Sequence, residues 1–167
     1  MKYLGMLLVI ASCAAAGWLL SARMRRRVME LEGYVSFIGY AADSVRYTLT
    51  PVEEILEEGF TYSTYAQLPL IAGCSRRMQN EKDFARVWQA AIGSDKGTLN
   101  AQDTAVLYPL GEVLGGSDAK TQHAALQRIG SALQKRCEEA RADSRKYASL
   151  YSRLGLLLGI GVAIVLL

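Results

Sequence analysis

Histidine and cysteine are scarce in this chain, and their scarcity excludes most catalytic and metal-binding arrangements. His123 is the only histidine among the 167 residues, so a Ser-His-Asp triad, a Cys-His dyad or a histidine-rich metal site would depend on that one side chain. The three cysteines, Cys13, Cys74 and Cys137, lie far apart in the sequence. They form neither a disulfide framework nor a four-ligand zinc site, and we expect no metal and no cofactor.

Signatures of nucleotide and nucleic acid binding are also missing. The sequence contains no GxxxxGK[ST] phosphate loop, no GxGxxG after a strand and no GxSxG elbow. The formal net charge is only +3, and the basic residues gather beside the apolar ends instead of forming a stripe with interleaved aromatics. We therefore expect no nucleic acid partner, and any ATP that drives the process served by this protein is bound by another protein.

Patterns typical of β-strands are absent as well. No run of alternating β-branched residues is bounded by turn residues, so we expect no sheet. Apolar residues recur at helical spacing instead, and the roughly 125 residues between the two apolar ends are enough for one helical domain with its own core. The sequence predicts an all-α fold: a helical bundle at residues 23–146, flanked by transmembrane helices at residues 1–22 and 147–167.

Both ends of the chain have the composition of membrane helices. Tyr3 to Ala22 contains no charged residue, and about 20 helical residues at about 1.5 Å rise cross a hydrocarbon core of roughly 30 Å. The final apolar run, Leu154 to Leu167, is shorter and covers only about 21 Å. Basic residues follow the first stretch and precede the second: Arg23, Arg25, Arg26, Arg27, Arg141, Arg145, Lys146 and Arg153. By the positive-inside rule, the chain between them is cytoplasmic and both termini lie across the membrane.

Two processing alternatives compete with an uncleaved N-terminal span. Ala14 to Ala16 is similar to a signal peptidase site, and Ile10 to Cys13 is similar to a lipoprotein box. The apolar run continues through Trp18 and Leu20 after either site, whereas a processed protein normally turns polar there. We therefore expect the span to stay uncleaved.

Capping residues and apolar spacing divide the middle of the chain into helices. Thr50 and Glu53 form a capping box, and Pro51 suits the first helical position, so a short helix is predicted from Pro51 to Phe60. The helix before it carries apolar residues at alternating spacings of three and four: Val28, Leu31, Val35, Ile38, Ala42, Val45 and Leu49. Two helices are predicted after it, one following Pro69 with Ile71, Cys74 and Met78, and one with Phe84, Val87, Trp88 and Ala91 facing inward.

A pair of glycines marks the corner between the last two predicted helices. The pair Gly115–Gly116 ends the earlier helix, because glycine reaches positive φ without strain, and Ser117 or Asp118 can cap the next. From Ala119 to Leu167 there is no proline, so one long helix is predicted. The earlier helix is predicted to run unbroken from a capping box at Asn100–Asp103, with one apolar face: Val106, Leu107, Leu110, Val113 and Leu114.

Two surface features are candidates for binding. Glu53, Glu54, Glu57 and Glu58 share an arc of about 140° on the predicted short helix. This acidic face is either a solvated surface or a docking site for a basic partner, and a single helix face lacks the converging oxygens that a calcium ion needs. In the C-terminal apolar run, Gly155 and Gly159 permit close packing of helices in lipid.

The motifs together resemble the stage III sporulation protein AB family of endospore-forming bacteria. The resemblance covers the whole chain: an N-terminal span followed by arginines, TPVEE opening a short helix, LGEVLGGSDAKTQ at the late corner and an apolar C-terminal tail. The most specific motif of the resemblance is an L-G-x-x-L-G-x-S-D-x-x-x-Q pattern, met here by Leu110, Gly111, Leu114, Gly115, Ser117, Asp118 and Gln122. The second motif is Thr50-Pro51 with Glu53.

The resemblance implies a structural role in a secretion-like apparatus. That family belongs to the channel that joins mother cell and forespore, and it is similar to the helical F domain of type II secretion platform proteins. The expected protein is a non-enzymatic platform in the mother-cell membrane facing the forespore. Its expected partners are the membrane, the cytoplasmic sporulation ATPase subunit and other subunits of the channel, with homo-oligomers as a further expectation.

Two other functions stay open from the sequence. One is a small membrane-anchored enzyme that acts through His123 or the glutamates, and the other is an exported lipoprotein anchored through Cys13. A His123→Ala substitution separates the first from a platform, because an enzyme that depends on the only histidine should lose orders of magnitude in rate. Intact-mass measurement tests the second.

Overall fold

The computed structural model describes residues 2–48, 52–61, 63–114 and 119–165. These ranges form α-helices joined by short turns and contain no strand, so the predicted all-α class is confirmed. Helix α1 continues into one π-helical turn, Ser44–Thr48. The helices are α1 Lys2–Asp43, α2 Val52–Thr61, α3 Ser63–Ala66, α4 Pro69–Met78, α5 Phe84–Ser94, α6 Ala101–Leu107, α7 Leu110–Leu114 and α8 Ala119–Val165.

The chain divides into two compact units. The terminal unit combines Met1–Val28 with Glu138–Leu167, and the central unit is Met29–Cys137. Across the described ranges, no helix combines the length and the hydrophobicity that a bilayer crossing requires. The two membrane spans and the domain limits at residues 22 and 147 stay predictions.

Helix α1 supplies one wall of the core in the central unit. Four residues of the predicted apolar seam are buried: Leu31, Ile38, Ala42 and Val45. The seam omitted Tyr34, Phe37 and Ala41, which are also at most 1% exposed. The buried face is wider than one seam because α1 meets partners on two sides. Phe37 lies against Gly59 of α2, whereas Ile38 lies against Gly130 of α8.

Helices α4 and α5 begin and pack as the sequence predicts. Pro69 occupies the first turn of α4, where its missing N–H costs no helix bond, and Ile71 and Cys74 are buried. The side chain of Asp83 accepts a hydrogen bond of 3.3 Å from the Arg86 N–H at the start of α5. The inward face of α5 is the predicted one: Phe84, Val87, Trp88 and Ala91.

The segment between α5 and α6 is held against α1 by a buried carboxylate. Glu30 is 6% exposed and accepts a hydrogen bond of 2.9 Å from the Thr98 N–H. Gly97 precedes this contact with φ of +57°, and a Cβ atom there would lie 2.7 Å from Glu30 Oε2. Glycine is therefore required at this turn both for the backbone angle and for the close approach of Glu30.

The prediction of one unbroken helix from Asn100 to the glycine corner is wrong. The capping box itself is confirmed, because Asn100 Oδ1 accepts from the Asp103 N–H at 2.9 Å and Asp103 Oδ2 accepts from the Asn100 N–H at 3.1 Å. The helix ends at Leu107, and α7 begins at Leu110. Pro109 explains the break, since it lacks the N–H that a continuous helix needs and its ring crowds the preceding turn.

The long C-terminal helix is confirmed as α8. In the central unit its inward residues are Leu126, Ile129, Leu133 and Cys137, at the helical spacing seen in the sequence. Several predicted features lie outside the described residues, so the cap of α2 and the glycine corner have no structural description: Thr50, Pro51, Gly115, Gly116, Ser117 and Asp118.

Candidate interaction surfaces

Helix α2 has one face buried against α1 and one acidic face. Ile55 is fully buried, and a Cβ atom on Gly59 would lie 2.7 Å from Phe37 Cε2, so the two helices approach closely. The opposite face exposes the carboxylates of Glu54, Glu57 and Glu58. These three residues are the part of the acidic face whose side chains the structure describes. Glu53 lies in α2, but its side chain is outside the described set.

The carboxylates of the acidic face are not equivalent. The hydroxyl of Tyr40 in α1 donates a hydrogen bond to Glu58 Oε2, which fixes that side chain beside α1. Thr61 donates to the Glu57 carbonyl oxygen at 2.8 Å and completes the last turn of α2. A shallow concavity of about 430 Å³ is lined by these carboxylates and Thr61. Within the described ranges, no three His, Cys, Asp or Glu side chains are placed to hold a metal ion.

The most specific sequence motif lies partly in the core between α5 and α7. Leu110 and Leu114 are fully buried. A Cβ atom on Gly111 would meet Trp88 Cβ at 3.1 Å and Ala85 Cα at 3.3 Å, so a side chain at this position would require α5 to shift by a few tenths of an ångström. Trp88 donates its indole N–H to the Leu107 carbonyl oxygen at 2.9 Å. This half of the motif therefore packs one helix against another.

The only histidine makes a contact between helices. His123 in α8 is half-buried, and its Nδ1 atom lies 3.0 Å from the Ala42 carbonyl oxygen in α1. Because a carbonyl oxygen only accepts, Nδ1 carries the proton in this bond. The neighbouring motif residue Gln122 is buried, with 8% exposure. His123 therefore has a structural partner in the helix that α8 packs against.

An open groove between α1 and α8 was not predicted from the sequence. Its volume is about 680 Å³. A Cβ atom on Gly39 would meet no atom within 4 Å, and one on Gly130 would lie 3.4 Å from Ile38 Cγ2. The sequence signal that could have indicated this groove is the presence of Gly39 and Gly130 inside helices, because neither glycine ends a helix. The lining residues are Val35, Ile38, Gly39, Ala42, Asp43, His123, Leu126, Gln127, Gly130, Ser131 and Gln134.

Two aspartates form ion pairs between helices of the central unit. Asp103 is fully buried, and its Oδ1 atom lies 3.2 Å from Arg136 Nε of α8. Asp95, after α5, pairs with Arg77 at 2.5 Å and with Arg76 at 3.0 Å. Burial opposes ionisation of Asp95, but hydrogen bonds from Arg77 and Ser94 and the charges of Arg77 and Arg76 outweigh it and lower the pKa of that carboxyl.

The described cysteine side chains are those of Cys74 and Cys137, which are both buried and are not joined by a disulfide. Burial raises the pKa of the Cys74 thiol to about 12, with the charge of Arg77 acting in the opposite direction. At neutral pH Cys74 is therefore a protonated core side chain and a poor target for thiol reagents. The side chain of Cys13 lies outside the described set.

The terminal unit exposes large apolar side chains. Trp18, Leu19 and Leu20 are 61%, 59% and 51% exposed, and Leu157 is 63% exposed. Three consecutive residues of a helix point in three directions about 100° apart, so this apolar surface spans about 200° of the circumference of α1 there. Gly155 and Gly159 belong to α8, but the surroundings of these two residues lie outside the described set.

Comparison with known proteins gives one family and no individual relative. The sequence model of the family described as stage III sporulation protein AB matches residues 2–167. Neither curated proteins nor solved structures give a significant match. The family match covers essentially the whole chain, including α2 with its acidic face and the motif that packs α7 on α5. The chain therefore belongs to the stage III sporulation protein AB family.

Proposed function

We propose that this sporulation protein is a non-enzymatic membrane platform of the mother cell–forespore channel. Its central unit is cytoplasmic, resembles the F domain of type II secretion platforms and connects a cytoplasmic ATPase subunit to the membrane complex. The observation that carries the proposal is the family match over residues 2–167. The acidic face of α2 is the surface that we assign to the ATPase contact.

Membrane anchoring is supported by the two ends of the sequence and by the terminal unit. Tyr3 to Ala22 contains no charge, and arginines follow it directly. Trp18, Leu19 and Leu20 expose more than half of their surface. Contiguous apolar surface of this kind is unfavourable in water and typical of a segment covered by lipid or protein. A mother-cell membrane that faces the forespore is the location consistent with the family.

The acidic face has the properties of a docking surface for a basic partner. Glu54 and Glu57 are exposed on one side of α2, while Ile55 on the other side is fully buried. Helix α2 contains no basic residue, so all of its charged side chains are negative. Such a patch attracts a basic surface over a screening length of about 8–10 Å and raises the association rate.

A charge-reversal experiment tests the proposed contact. The Glu54→Lys/Glu57→Lys double variant should keep its fold, because both side chains are exposed, yet co-purify poorly with the ATPase subunit and reduce sporulation efficiency. A Glu54→Gln/Glu57→Gln variant should lose less binding, since it removes charge without reversing it. The matched control is Glu81→Lys/Glu112→Lys, which changes the net charge equally at two other exposed positions.

The outcomes separate docking from simple solvation. Equal loss of binding in the control would show that net charge matters and that α2 is not special. Unchanged binding and sporulation in both α2 variants would make the acidic face a solvated surface. In that case the contact would move to the exposed side of α8 around Arg128 and Lys135.

The non-enzymatic part of the proposal has its own test. His123 is bonded to the Ala42 carbonyl oxygen, so we expect His123→Ala to weaken the packing of α1 on α8 modestly. Sporulation should persist when the variant protein accumulates to normal levels. A folded, abundant His123→Ala protein that abolished sporulation would favour an enzyme that uses the histidine.

A further inference from the structure

The terminal unit and the central unit carry opposite net charges. Of the 19 Lys and Arg residues in the chain, nine lie in the terminal unit, against only three of the 16 Asp and Glu residues. The terminal unit therefore has a formal charge of +6, and the central unit has one of −3. A positive unit attracts anionic surfaces, whereas a negative unit attracts basic ones. The terminal unit therefore calls for a different partner from the one assigned to the acidic face.

The positive charge of the terminal unit begins where the uncharged stretch of α1 ends. Arg23, Arg25 and Arg26 are all exposed, and they follow Ala22, the last residue of that stretch. At about 1.5 Å rise per residue, all three lie within about 6 Å of its end along the helix axis. No acidic residue occurs before Glu30 in the sequence, so this end of α1 has charge of one sign only.

Helix α8 has the same arrangement in reverse order along the chain. Arg145 and Lys146 are exposed, and Lys146 Nζ lies 5.1 Å from the centre of the Tyr147 ring. Tyrosine is enriched where membrane helices cross the interface with water. All three acidic residues of the terminal unit precede this basic pair: Glu138, Glu139 and Asp143. In both helices, the charged side chains nearest to the apolar stretch are therefore basic.

We propose that these basic residues bind the headgroups of anionic phospholipids at the membrane surface. The inference rests on the membrane anchoring in the proposed function. With the uncharged stretch of α1 in the hydrocarbon, Arg23, Arg25 and Arg26 lie in the headgroup layer, which is about 5–8 Å thick on each face of a bilayer. Guanidinium groups pair bidentately with phosphate oxygens. Basic side chains that border a membrane helix on the cytoplasmic side favour anionic lipids for this reason.

The surroundings of the arginines favour a lipid surface over an acidic protein. Trp18, Leu19 and Leu20 are more than half exposed and lie directly before the arginines, so apolar and basic surfaces are continuous along α1. At about 100° per residue, Arg25 lies about 160° around the helix from Arg23. The two guanidinium groups therefore reach nearly opposite sides of α1. Headgroups that surround a membrane helix can pair with both, whereas one flat protein face cannot.

Quenching of tryptophan fluorescence by brominated lipids tests the proposal in the full-length protein reconstituted into vesicles. The chain has two tryptophans: Trp18 in the terminal unit and Trp88, which is 1% exposed in the central core. Trp18 therefore reports on the neighbouring lipids, and a Trp18→Phe variant measures the background from Trp88. We expect brominated phosphatidylglycerol to be preferred over brominated phosphatidylcholine beside Trp18 about fivefold, the factor that one basic residue near an anionic surface supplies.

Matched double variants test whether the arginines cause this preference. Arg23→Gln/Arg25→Gln should lower the preference about twofold or more, whereas Arg23→Lys/Arg25→Lys should keep most of it, because the charge is retained. The control Arg128→Gln/Lys135→Gln removes the same charge at exposed positions of the central unit and should leave the preference unchanged. Circular dichroism melting verifies that each variant is folded. The same lipid mixture in both leaflets makes the result independent of the orientation of the protein.

The outcomes separate this proposal from membrane anchoring itself. Equal quenching of Trp18 by the two brominated lipids would overturn the proposal and leave the anchoring intact, whereas quenching by neither lipid would overturn both. An equal fall in the Arg23→Gln/Arg25→Gln variant and in the central control would show that net charge alone sets the preference. An unchanged lipid preference in an Arg23→Gln/Arg25→Gln protein that blocks sporulation would assign these arginines to an acidic protein instead.

Discussion

Glycines in the central unit show how its two sides differ. On the α4–α5–α7 side, a Cβ atom on Gly73 would lie 2.8 Å from the Asp95 carboxylate, and one on Gly111 would lie 3.1 Å from Trp88. On the α1–α8 side, a Cβ atom on Gly39 would meet nothing within 4 Å. The first side is closed by its own side chains, so its motif residues serve the fold. The second side is open and leaves a groove along α1 and α8.

Removing the aromatic centre of the closed side should have the largest effect. Trp88 is 1% exposed and donates its N–H to the Leu107 carbonyl oxygen. Trp88→Ala should lower the free energy of unfolding by about 3–5 kcal/mol, because it leaves a cavity and an unpaired carbonyl. Denaturant unfolding of the full-length protein measures this. The control Tyr108→Ala removes an aromatic ring that is 46% exposed and should cost much less. Equal losses would show that the closed side is not tightly packed.

The same substitution at two glycines should have opposite signs. Gly111→Ala introduces a Cβ atom 3.1 Å from Trp88 and should destabilise by about 1–3 kcal/mol through overpacking. Gly39→Ala meets open space and should stabilise α1 by about 0.5–1 kcal/mol, since alanine favours a helix and restricts the unfolded chain. Melting of the two variants side by side gives the comparison. A stabilising Gly111→Ala would contradict the close contact between α5 and α7.

Acid should weaken the closed side through Asp95. Its pKa is lowered by Arg77, Ser94 and Arg76 despite burial, so the ionised form stabilises the fold. This stabilisation is fully present above the usual aspartate pKa of about 3.9 and is lost as the pH falls through the lower folded value. Asp95→Asn should therefore flatten the fall in melting temperature in that acidic window. A parallel pH profile for parent and variant would show that the Arg–Asp cluster does not stabilise the fold.

Reversing charge on the acidic face of α2 should change stability least. Glu54 and Glu57 are exposed on α2, and surface substitutions usually stay within about 0.5 kcal/mol. The unfolding free energy of Glu54→Lys/Glu57→Lys should therefore match the parent within that range while its binding changes. A large loss of stability would mean that these glutamates contribute to the fold and are not simply a surface for a partner.

Local patterns in the sequence predicted helix starts and inward faces correctly. The Asn100–Asp103 capping box and the four inward residues of α5 depend on neighbours within a few positions, so the sequence contains what is needed. The break at Pro109 was also visible in principle, because proline removes an N–H wherever it stands. The apolar spacing across Leu107 and Leu110 outweighed it in the prediction.

The groove could not be predicted in the same way. It depends on how α1 and α8 align, and the contact that fixes this alignment joins His123 to Ala42, which are 81 positions apart. Helical periodicity identifies which side of each helix is apolar, but it does not determine which residues of two distant helices meet. The open space over Gly39 follows from that alignment. For the same reason the acidic face was predicted as a set of exposed residues, but its bond from Tyr40 to Glu58 was not.

Thiol labelling in sporulating cells tests the membrane platform most directly. Cys74 is a poor probe because it is fully buried with a pKa of about 12, so a new cysteine is needed at the exposed position Gln79. We predict that an impermeant thiol reagent labels the Gln79→Cys protein only after the cells are permeabilised, with the parent protein as background. Labelling of Gln79→Cys in intact cells would place the central unit outside the cytoplasm and contradict the platform account.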